Sequence, residues 1–372
     1  MKQQPSSPTA ATSVQRPCAA AILAAGKSTR MKTDLPKVMH EICGRPMLAY
    51  VLDACRAAGI EDLHLVVGFG KEQIIDAFGR EPGVRFVEQR EQKGTGHAVS
   101  MCADAMRDFQ GDLVVIAGDM PLVRAETLRT LLDSHRTARA AASIATTVLP
   151  DPAGYGRIIR DAAGRFERIV EHRDCTPEQL RIAEVNPSYY CFDARALFDS
   201  LPKLKADNAK GEYYLTDVLA ILHGEGRTVG ATTSVPAEDA TGINSRVELA
   251  EVAKLMQRRI QWNWMDRGVT ITDPDNTWID SRATIGAESV IRPFSYIEGR
   301  ARLGCRCRIG PFAYVADGAQ LEDGTQIGPG NLTALGAAAG PRAAGSMDLT
   351  RSASAARRPP AQTGCSYKET AQ

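Results

Sequence analysis

A glycine-containing loop with basic residues follows the first apolar run of the chain. Residues 23–31 read Leu-Ala-Ala-Gly-Lys-Ser-Thr-Arg-Met. Small residues let backbone N–H groups approach an anion closely, and Lys27 and Arg30 add positive charge. Residues 26–28 match the second half of a P-loop, but the first glycine of that motif falls on Ala21, so the match fails. The loop predicts contacts to phosphate, with an ordinary strand-to-helix turn as the alternative.

Two further segments suit the same chemistry. Lys37 follows Leu35-Pro36, and a proline-stiffened loop suits a cation that contacts phosphate. Gln89 precedes a second glycine-rich turn, Gly94-Thr95-Gly96-His97, which enters a predicted helix. Helix N-termini bind anions or polar base edges. We interpret His97 as an ordinary helix residue with satisfied polar atoms.

An aspartate ends a strongly apolar run, in Gly118-Asp119. A carboxylate at the end of a buried strand commonly holds Mg²⁺ bound to a nucleotide phosphate, whereas capping of the next turn is the alternative role. Asn244 precedes a long predicted helix, where an asparagine ordinarily serves as the N-cap.

Polar residues in the middle of the chain suit sugar hydroxyls. They are Asn186 and those of Gly154-Tyr155-Gly156-Arg157, Glu171-His172 and Gly211-Glu212-Tyr213-Tyr214-Leu215-Thr216-Asp217. The sequence shows no Ser-His-Asp or Cys-His arrangement for nucleophilic catalysis.

The first 235 or so residues alternate short apolar runs with segments of helical periodicity. Strands are predicted over residues 19–23, 63–67, 84–87, 113–117 and 188–192, a hairpin over 158–160 and 166–170, and helices over 47–55, 72–78, 96–106 and 125–136. The alternation predicts an α/β fold with a mostly parallel sheet covered on both faces. Such sheets bind ligands beyond the carboxyl ends of their strands, so Gly26 and Asp119 are expected to share one crevice.

A strict repeat follows a polar-rich helix predicted over residues 245–265. Aliphatic residues recur every six positions, at Ile279, Ile285, Ile291, Ile297, Leu303, Ile309, Val315, Leu321 and Ile327. This is the hexapeptide signature of a β-helix, in which six residues form one side of a coil and about three coils are present here. Residues 332–372 are rich in Ala, Gly, Pro, Ser and Arg and poor in large aliphatics, which predicts a disordered tail.

The overall composition excludes several classes of protein. Forty-five basic and forty-four acidic residues give a net charge of +1, so we expect no nucleic-acid partner and no anionic membrane partner. The polar N-terminus lacks the order of a signal peptide, and no apolar run is long enough for a transmembrane helix. The nine cysteines lack a CxxC pair, which favours reduced thiols and a cytoplasmic location.

Together these motifs resemble the bacterial bifunctional N-acetylglucosamine-1-phosphate uridyltransferase/glucosamine-1-phosphate acetyltransferase family. The resemblance covers about residues 19–328 and rests on the motifs above in their order, with Val170-Glu171-His172, Gly242-Ile243-Asn244 and the hexapeptide repeat. It implies a Rossmann-like nucleotidyltransferase domain (18–244), a connector helix (245–268) and a truncated left-handed parallel β-helix (269–331). A disordered N-terminus (1–17) would precede these parts and the tail (332–372) would follow them.

The resemblance also implies a reaction, a cofactor and a site. UMP would pass from UTP to N-acetylglucosamine 1-phosphate with Mg²⁺, giving UDP-N-acetylglucosamine and pyrophosphate for cell-envelope precursors. Arg30 and Lys37 would be catalytic, and Asp119 and Asn244 would bind the metal. The nucleotide would be bound by Leu23, Ala24, Ala25, Gly26, Gln89, Gly94 and Thr95. The sugar phosphate would be bound by Gly156, Glu171, Asn186, Tyr214 and Thr216.

The sequence departs from the family pattern at several positions. Ser28 stands where the family usually has glycine, and Pro187-Ser188 replaces Thr-Gly, which removes one backbone donor. Ala316 occupies a position where arginine is expected, and the coils that bear lysine and histidine are missing, so we expect no acetyltransferase activity. The alternatives are a nucleotidyltransferase for another sugar 1-phosphate or nucleotide, a non-catalytic β-helix scaffold, and a hexapeptide acyltransferase. A homotrimer through the β-helix is also expected.

Overall fold

The computed structural model describes residues 16–27, 29–330, 333 and 338–339. The disorder predicted for residues 1–15 and for nearly all of the tail lies outside the described residues, as does Ser28. The chain divides into two compact units, Met1–Ile260 and Gln261–Gln372, and the division falls inside a long helix. The predicted domain boundaries at residues 244 and 268 flank that helix and remain predictions.

Strands and helices alternate through most of the first unit. Its strands are β1 (Cys18–Ala24), β2 (Glu41–Ile42), β3 (Arg45–Pro46), β4 (Asp62–Val67), β5 (Val84–Glu88), β6 (Asp112–Ala117), β7 (Ala142–Val148), β8 (Gly156–Arg160), β9 (Phe166–Val170), β10 (Glu184–Asp193) and β11 (Val229–Thr233). Its helices are α1 (Met47–Ala57), α2 (Lys71–Phe78), α3 (Thr95–Ser100), α4 (Ala125–Thr137), α5 (Ala194–Ser200) and α6 (Thr216–Gly224), and α7 (Arg246–Asp266) continues into the second unit.

A central sheet has the strand order β11-β7-β10-β6-β1-β4-β5. Neighbours in this order run parallel except at β10, which is antiparallel to both β6 and β7. The predicted Rossmann-like fold with a mostly parallel sheet is therefore confirmed. Leu23 lies opposite Ala117 in the pairing of β1 with β6, so the loops that follow these two strands start side by side.

The central strands β1 and β6 are buried on both faces. On one face Ala21, Val115, Ile144 and Phe192 are fully buried in a core that also contains Leu219 of α6. Side chains of α3 and α5 complete this core. Burial on both faces explains why β1 and β6 read as nearly continuous apolar runs. The core holds the carboxyl ends of β1 and β6 in fixed positions.

Two predicted elements differ from the observed ones. The helix predicted over residues 96–106 is wrong in length: α3 ends at Ser100, and Cys102 N–H and Ala103 N–H instead bond three residues back, to Val99 O and Ser100 O. The strand predicted over residues 188–192 begins earlier, at Glu184, because β10 continues through a bulge between Val185 and Tyr189. Alternation of apolar residues is interrupted at such a bulge, which hides the strand from pattern analysis.

A buried carboxylate holds the start of the described chain. Asp112 is fully buried, and its oxygens contact Arg16 Nη1 at 3.2 Å and Arg136 Nε at 2.7 Å. The backbone N–H of Asp112 also donates to Pro17 O at 2.9 Å. Residues 16 and 17, which were predicted to be disordered, are therefore bound to the end of the sheet opposite the carboxyl ends.

The second unit contains the predicted β-helix. Its strands are β12 (Thr270–Ile271), β13 (Trp278–Ile279), β14 (Thr284–Ile285), β15 (Val290–Ile291), β16 (Tyr296–Ile297), β17 (Arg302–Leu303), β18 (Arg308–Ile309), β19 (Tyr314–Val315), β20 (Gln320–Leu321), β21 (Gln326–Ile327) and β22 (Ala338–Ala339). They form three parallel stacks, β12-β15-β18-β21, β13-β16-β19 and β14-β17-β20-β22. The nine aliphatic residues of the six-residue repeat are all buried, as expected for the interior of a left-handed β-helix.

Within the described residues, no helix combines the length and apolar character needed to cross a membrane.

Candidate active site

A cavity of about 420 Å³ lies in the first unit at the carboxyl ends of β1 and β6. Such an edge of a mostly parallel sheet is the usual place for a ligand site. The predicted site residues that line it are Leu23, Arg30, Thr95, Asp119, Gly156, Glu171, Asn186, Tyr214, Thr216 and Asn244. The structure thus brings predicted nucleotide, metal and sugar-phosphate residues to one cavity.

Asp119 is placed in this cavity by the turn that follows β6. Gly118 N–H donates to Leu23 O at 2.9 Å, which continues the pairing of β1 with β6 by one bond. A Cβ atom at Gly118 would approach Leu23 O, Leu48 and Val38 at 3.2 to 3.3 Å, so the turn packs tightly against its surroundings. Asp119 O then accepts from Ile243 N–H at 3.1 Å, which brings the segment before α7 beside it.

Lys37 is not among the residues found to line the cavity, but it contacts two side-chain oxygens that are. Its Nζ atom donates to Asp119 Oδ2 and, at 3.1 Å, to Asn244 Oδ1. Both members of the Lys37–Asp119 ion pair are mostly buried, with 16% and 15% of their side chains exposed. A carboxylate and an amide oxygen therefore converge on one cationic atom, and hard oxygen donors of this kind are the ligands that Mg²⁺ prefers.

Asn244 keeps its side chain in the cavity because a neighbouring residue caps α7. The hydroxyl of Ser245 accepts from Glu248 N–H at 3.3 Å, so Ser245 rather than Asn244 serves as the N-cap. Glu248 Oε2 in turn accepts from Asn244 N–H at 2.7 Å, in an arrangement close to a capping box. Glu248 also lines the cavity, and its Ser-x-x-Glu spacing is a signal that could have identified it.

The loop after β1 presents its glycine to open space. Ala24 and Ala25 are almost fully buried, whereas Gly26 is exposed, and a Cβ atom added there would meet nothing within 4 Å. Ala25 O accepts from Phe69 N–H at 3.2 Å and from Gln92 Nε2 at 3.1 Å, which fixes the start of the loop. None of Ala24, Ala25 and Gly26 is among the residues found to line the cavity, which their loop borders through Leu23 and Arg30.

Gln89 and Gly94 are not among the residues found to line the cavity, whereas Thr95 is. The buried Gln89 amide donates to Gly94 O at 3.2 Å and lies 3.0 Å from His97 Nδ1. His97, interpreted above as an ordinary helix residue, therefore contacts a predicted nucleotide-binding side chain. Thr95 Oγ1 accepts from Leu215 N–H at 3.0 Å and lines the cavity.

The backbone conformation and the close packing at residue 94 require glycine. Its φ of 108° lies in the region that favours glycine, and a Cβ atom would lie 2.6 Å from Tyr213 O and 2.9 Å from Tyr213 N. The turn at residues 94–96 and the segment around Tyr213 therefore pack backbone to backbone. Gly96 N–H donates to Tyr213 O at 2.8 Å, and Tyr213 N–H donates to Lys93 O at 2.8 Å.

Another part of the cavity contains a half-buried carboxylate, Glu171. Glu171 Oε1 accepts from the Thr216 hydroxyl at 3.4 Å, and a Cβ atom at Gly156 would lie 3.4 Å from the same oxygen. Burial raises the pKa of the Glu171 carboxyl, while Lys210 and the Thr216 hydroxyl oppose that shift. The Lys210 ammonium lies 5.9 Å from the centre of the Tyr214 ring. This part of the cavity can accept hydrogen bonds from hydroxyl groups and offers one cation.

Asn186 lies in the bulge of β10, and both polar atoms of its side-chain amide form hydrogen bonds within the protein. Its Nδ2 donates to the Tyr190 hydroxyl at 2.7 Å, and its Oδ1 accepts from Ser188 N–H at 2.8 Å. Ser188 has a φ of 69°, a conformation that costs a residue with a side chain about 1 kcal/mol or more. Pro187 thus occupies a bulge in which the next residue supplies the backbone donor.

Sequence reasoning missed several residues that line the cavity. Lys210, Glu248 and Tyr190 were not predicted as site residues. Lys210 immediately precedes the predicted run 211–217, so its proximity to that run was the available signal. Tyr190 lies inside a buried strand, and no feature of the sequence distinguishes it from a core residue.

Within the described residues, no group of three or more histidine, cysteine, aspartate or glutamate side chains could hold a metal ion. A cation at Asp119 and Asn244 would therefore need oxygens from a ligand or from water, as is usual for Mg²⁺ at phosphate sites.

Three features define the class of protein as a nucleotidyltransferase. They are the mostly parallel sheet, the loop of small and basic residues after β1, and the Asp119 and Asn244 oxygens at the carboxyl edge of the sheet. Comparison with known proteins agrees: residues 20–219 match the family described as MobA-like NTP transferase domain, and the chain belongs to that family.

Proteins named bifunctional protein GlmU are similar to this chain. The protein from Clostridium acetobutylicum is 44% identical over 274 residues, which are 74% of this chain and 60% of the relative. The proteins from Geobacillus thermodenitrificans and Listeria innocua are 44% and 45% identical over the same length, covering 59% and 60% of the relatives. The resemblance inferred from the motifs is confirmed. The chain spans about 60% of the length of these relatives.

A solved structure of similar fold is a UDP-glucose pyrophosphorylase complexed with UDP-glucose. It superposes with a TM-score of 0.55 at 18% identity, over 66% of this chain and 100% of that chain. At this identity the likeness supports the Rossmann-like fold.

Proposed function

We propose that the protein transfers UMP from UTP to N-acetylglucosamine 1-phosphate in a Mg²⁺-dependent reaction. The products would be pyrophosphate and UDP-N-acetylglucosamine, and the latter would serve the synthesis of cell-envelope precursors. The observation that carries this proposal is that one cavity is lined by Arg30, Asp119 and Asn244 and also by Glu171 and Thr216. Lys37 contacts the Asp119 and Asn244 oxygens of that lining. Family membership and the similarity to GlmU proteins support it.

The chemistry needs few groups from the protein. A phosphate oxygen of the sugar phosphate is already a nucleophile, so it forms the new bond to the α-phosphorus while the bond to pyrophosphate breaks, without a general base. Arg30 and Lys37 would neutralise the triphosphate and the charge that spreads in the transition state. The cavity would hold the two substrates in line, which supplies a large part of the rate.

Each substrate has its own part of the site in this proposal. The backbone from Leu23 to Gly26, with Gln89, Gly94 and Thr95, would bind the nucleotide. Gly156, Glu171, Asn186, Tyr214 and Thr216 would bind the sugar phosphate. Asp119 and Asn244 fit a Mg²⁺ ion because their oxygens already converge on one cation, Lys37 Nζ. When bound, Mg²⁺ supplies charge neutralisation at the phosphates.

A substrate panel tests the identity of the sugar. With UTP and Mg²⁺, pyrophosphate release should be fastest with N-acetylglucosamine 1-phosphate and at least about tenfold slower with glucose 1-phosphate, since a lost hydrogen-bonding group costs that much or more. Faster release with another sugar 1-phosphate would favour the alternative substrate, and the bulge at Pro187-Ser188 is the feature that would explain it. No pyrophosphate release with any sugar 1-phosphate of the panel would favour a non-catalytic β-helix scaffold.

A trimer through the β-helix is part of the proposal. Phe294 and Phe312 are stacked with ring centres 4.9 Å apart and are 53% and 60% exposed, and Tyr296 is also exposed. Exposed aromatic surface of this kind favours association between copies. Sedimentation should give three copies for the protein and fewer for Phe312→Ser at the same concentration. A monomer at micromolar concentration would contradict the trimer and leave the transferase proposal intact.

A further inference from the structure

The Lys37 ammonium occupies the point at which the two oxygens of the proposed metal site converge. Its Nζ donates both to Asp119 Oδ2 and to Asn244 Oδ1. The Lys37–Asp119 pair is mostly shielded from water, so its attraction is less screened than that of a surface ion pair. A residue of the protein itself thus supplies a cation to these two oxygens.

The two oxygens do not need Lys37 to stay together. Asp119 O accepts from Ile243 N–H at 3.1 Å, which joins the two segments through their backbones. Asn244 N–H is held by Glu248 Oε2 at 2.7 Å, and Ser245 caps the helix that follows. Removing the lysine side chain therefore leaves the oxygen pair assembled and removes only its cation.

An ammonium and a divalent cation cannot both use these oxygens. Each needs the same lone pairs, and at contact distance the two positive charges repel strongly in a shielded site. A metal that arrives alone must displace Lys37 and leave its ammonium without a partner. A nucleotide changes this balance, because its phosphate oxygens offer the ammonium a new partner and offer the metal further ligands.

We propose that Lys37 acts as an internal cation that holds metal off Asp119 and Asn244 until a nucleotide draws the lysine away. The inference rests on the proposed function, since it takes these two residues as the metal ligands. Metal and nucleotide then bind with positive coupling, and each raises the affinity for the other. The enzyme without nucleotide keeps its carboxylate neutralised and binds free metal weakly.

Direct binding of Mn²⁺, followed by electron paramagnetic resonance of the free ion, tests this inference without any turnover. Carboxylate and amide oxygens accept Mn²⁺ as they accept Mg²⁺. In the absence of nucleotide, Lys37→Met should bind Mn²⁺ at least about tenfold more tightly than the unmodified protein, because a nearby competing charge is gone. Adding UTP should tighten Mn²⁺ binding by the unmodified protein and have a smaller effect on Lys37→Met.

Two variants make the comparison specific. Arg30→Met also removes one positive charge from the cavity, but no described hydrogen bond joins Arg30 to Asp119 or Asn244, so its Mn²⁺ affinity should change much less. Lys37→Arg keeps a cation and should bind Mn²⁺ as weakly as the unmodified protein. This second variant keeps the test decisive should Lys37→Met fold poorly, since tight Mn²⁺ binding by Lys37→Arg would contradict the inference.

The outcomes separate this inference from the proposed function. One result would overturn the inference and leave the metal site in place. In it, the unmodified protein binds Mn²⁺ only with UTP, and Lys37→Met without UTP binds Mn²⁺ no more tightly than the unmodified protein does. Equal tightening in Arg30→Met and Lys37→Met would also overturn it, because the effect would then be general charge. Failure of the unmodified protein to bind Mn²⁺ even with UTP, or unchanged binding in Asp119→Asn, would overturn the metal assignment together with it.

Discussion

Lys37 Nζ lies 3.1 Å from Asn244 Oδ1, although 207 residues separate the two in the chain. The same nitrogen contacts Asp119, so three distant segments meet at one point of the cavity. The segments are the turn after the β1 loop, the turn after β6 and the residues that precede α7. This convergence gives the site its cation-binding character.

Asp119→Asn should abolish most of the transferase activity while leaving the fold intact. The change removes the one charged oxygen ligand but keeps the size of the side chain, and we expect a loss of at least about 100-fold in kcat/KM. Circular dichroism should show the same folded spectrum, because the turn is fixed by backbone bonds at Gly118 and Ile243, whereas the unfolding free energy should fall because Lys37 loses its ion pair. Asp133→Asn, on the exposed face of α4, is the matched control. Activity near that of the control would contradict the metal assignment.

Gly26→Ala and Gly94→Ala should separate binding from stability. A methyl group at residue 26 meets nothing in the protein, so the unfolding free energy should stay unchanged while KM for UTP rises. At residue 94 the φ of 108° and the contact with Tyr213 should also lower the unfolding free energy by about 1–3 kcal/mol. Steady-state kinetics and urea unfolding measure both effects. An unchanged KM for UTP in Gly26→Ala would show that this loop does not approach the phosphates.

Ser188→Gly should stabilise the protein by about 1 kcal/mol, since the φ of 69° at this residue favours glycine. The hydrogen bond from the backbone N–H of residue 188 to Asn186 Oδ1 is kept in the variant. Urea unfolding of the two proteins measures the difference. A loss of stability would mean that the Ser188 side chain contributes more than its backbone conformation costs.

Protonation of the Glu171 carboxyl should raise KM for the sugar phosphate at low pH. Burial raises its pKa, so it gains a proton at a higher pH than an ordinary glutamate and then accepts fewer hydrogen bonds from the sugar. KM for the sugar phosphate should rise as pH falls through this raised value, whereas KM for UTP should not follow it. In Glu171→Gln, KM for the sugar phosphate should no longer rise at low pH. A rise that persists in the variant would assign the titration to another group.

The same carboxyl should also affect stability. Because its pKa is higher in the folded protein than in the unfolded chain, the folded state binds more protons between the two values, and stability falls as pH rises through that range. Above the raised pKa the full cost of the shielded charge is present. Glu171→Gln should therefore be more stable than the unmodified protein above that pKa without ligand, and the difference should shrink below the pKa of an ordinary glutamate. Urea unfolding at several pH values measures this, and a difference that is constant with pH would contradict it.

Periodic patterns in the sequence were enough to predict the main elements. The six-residue spacing from Ile279 to Ile327 predicts the β-helix because each buried position recurs once per side of a coil. The strand before Gly26 and the strand before Asp119 were visible as apolar runs, and the geometry of parallel sheets then predicts that these residues lie at the same edge.

Other features depend on contacts that no local pattern reports. The family resemblance implies that Lys37, Asp119 and Asn244 share one site, but no local pattern in the sequence shows that residues 207 positions apart will meet. The bulge at Val185–Tyr189 interrupts the alternation of β10, so the strand was predicted too short. Residues 101–106 have the composition of a helix, but the bonds of Cys102 and Ala103 three residues back end α3 early.

The most direct test of the central proposal is pyrophosphate release from UTP and N-acetylglucosamine 1-phosphate, measured with Mg²⁺ and again with excess chelator. We expect release that requires both substrates, stops with chelator and is lost in Asp119→Asn. Release that continues with chelator would contradict the metal-dependent mechanism. No release from a folded protein that is supplied with Mg²⁺ would contradict the proposed reaction.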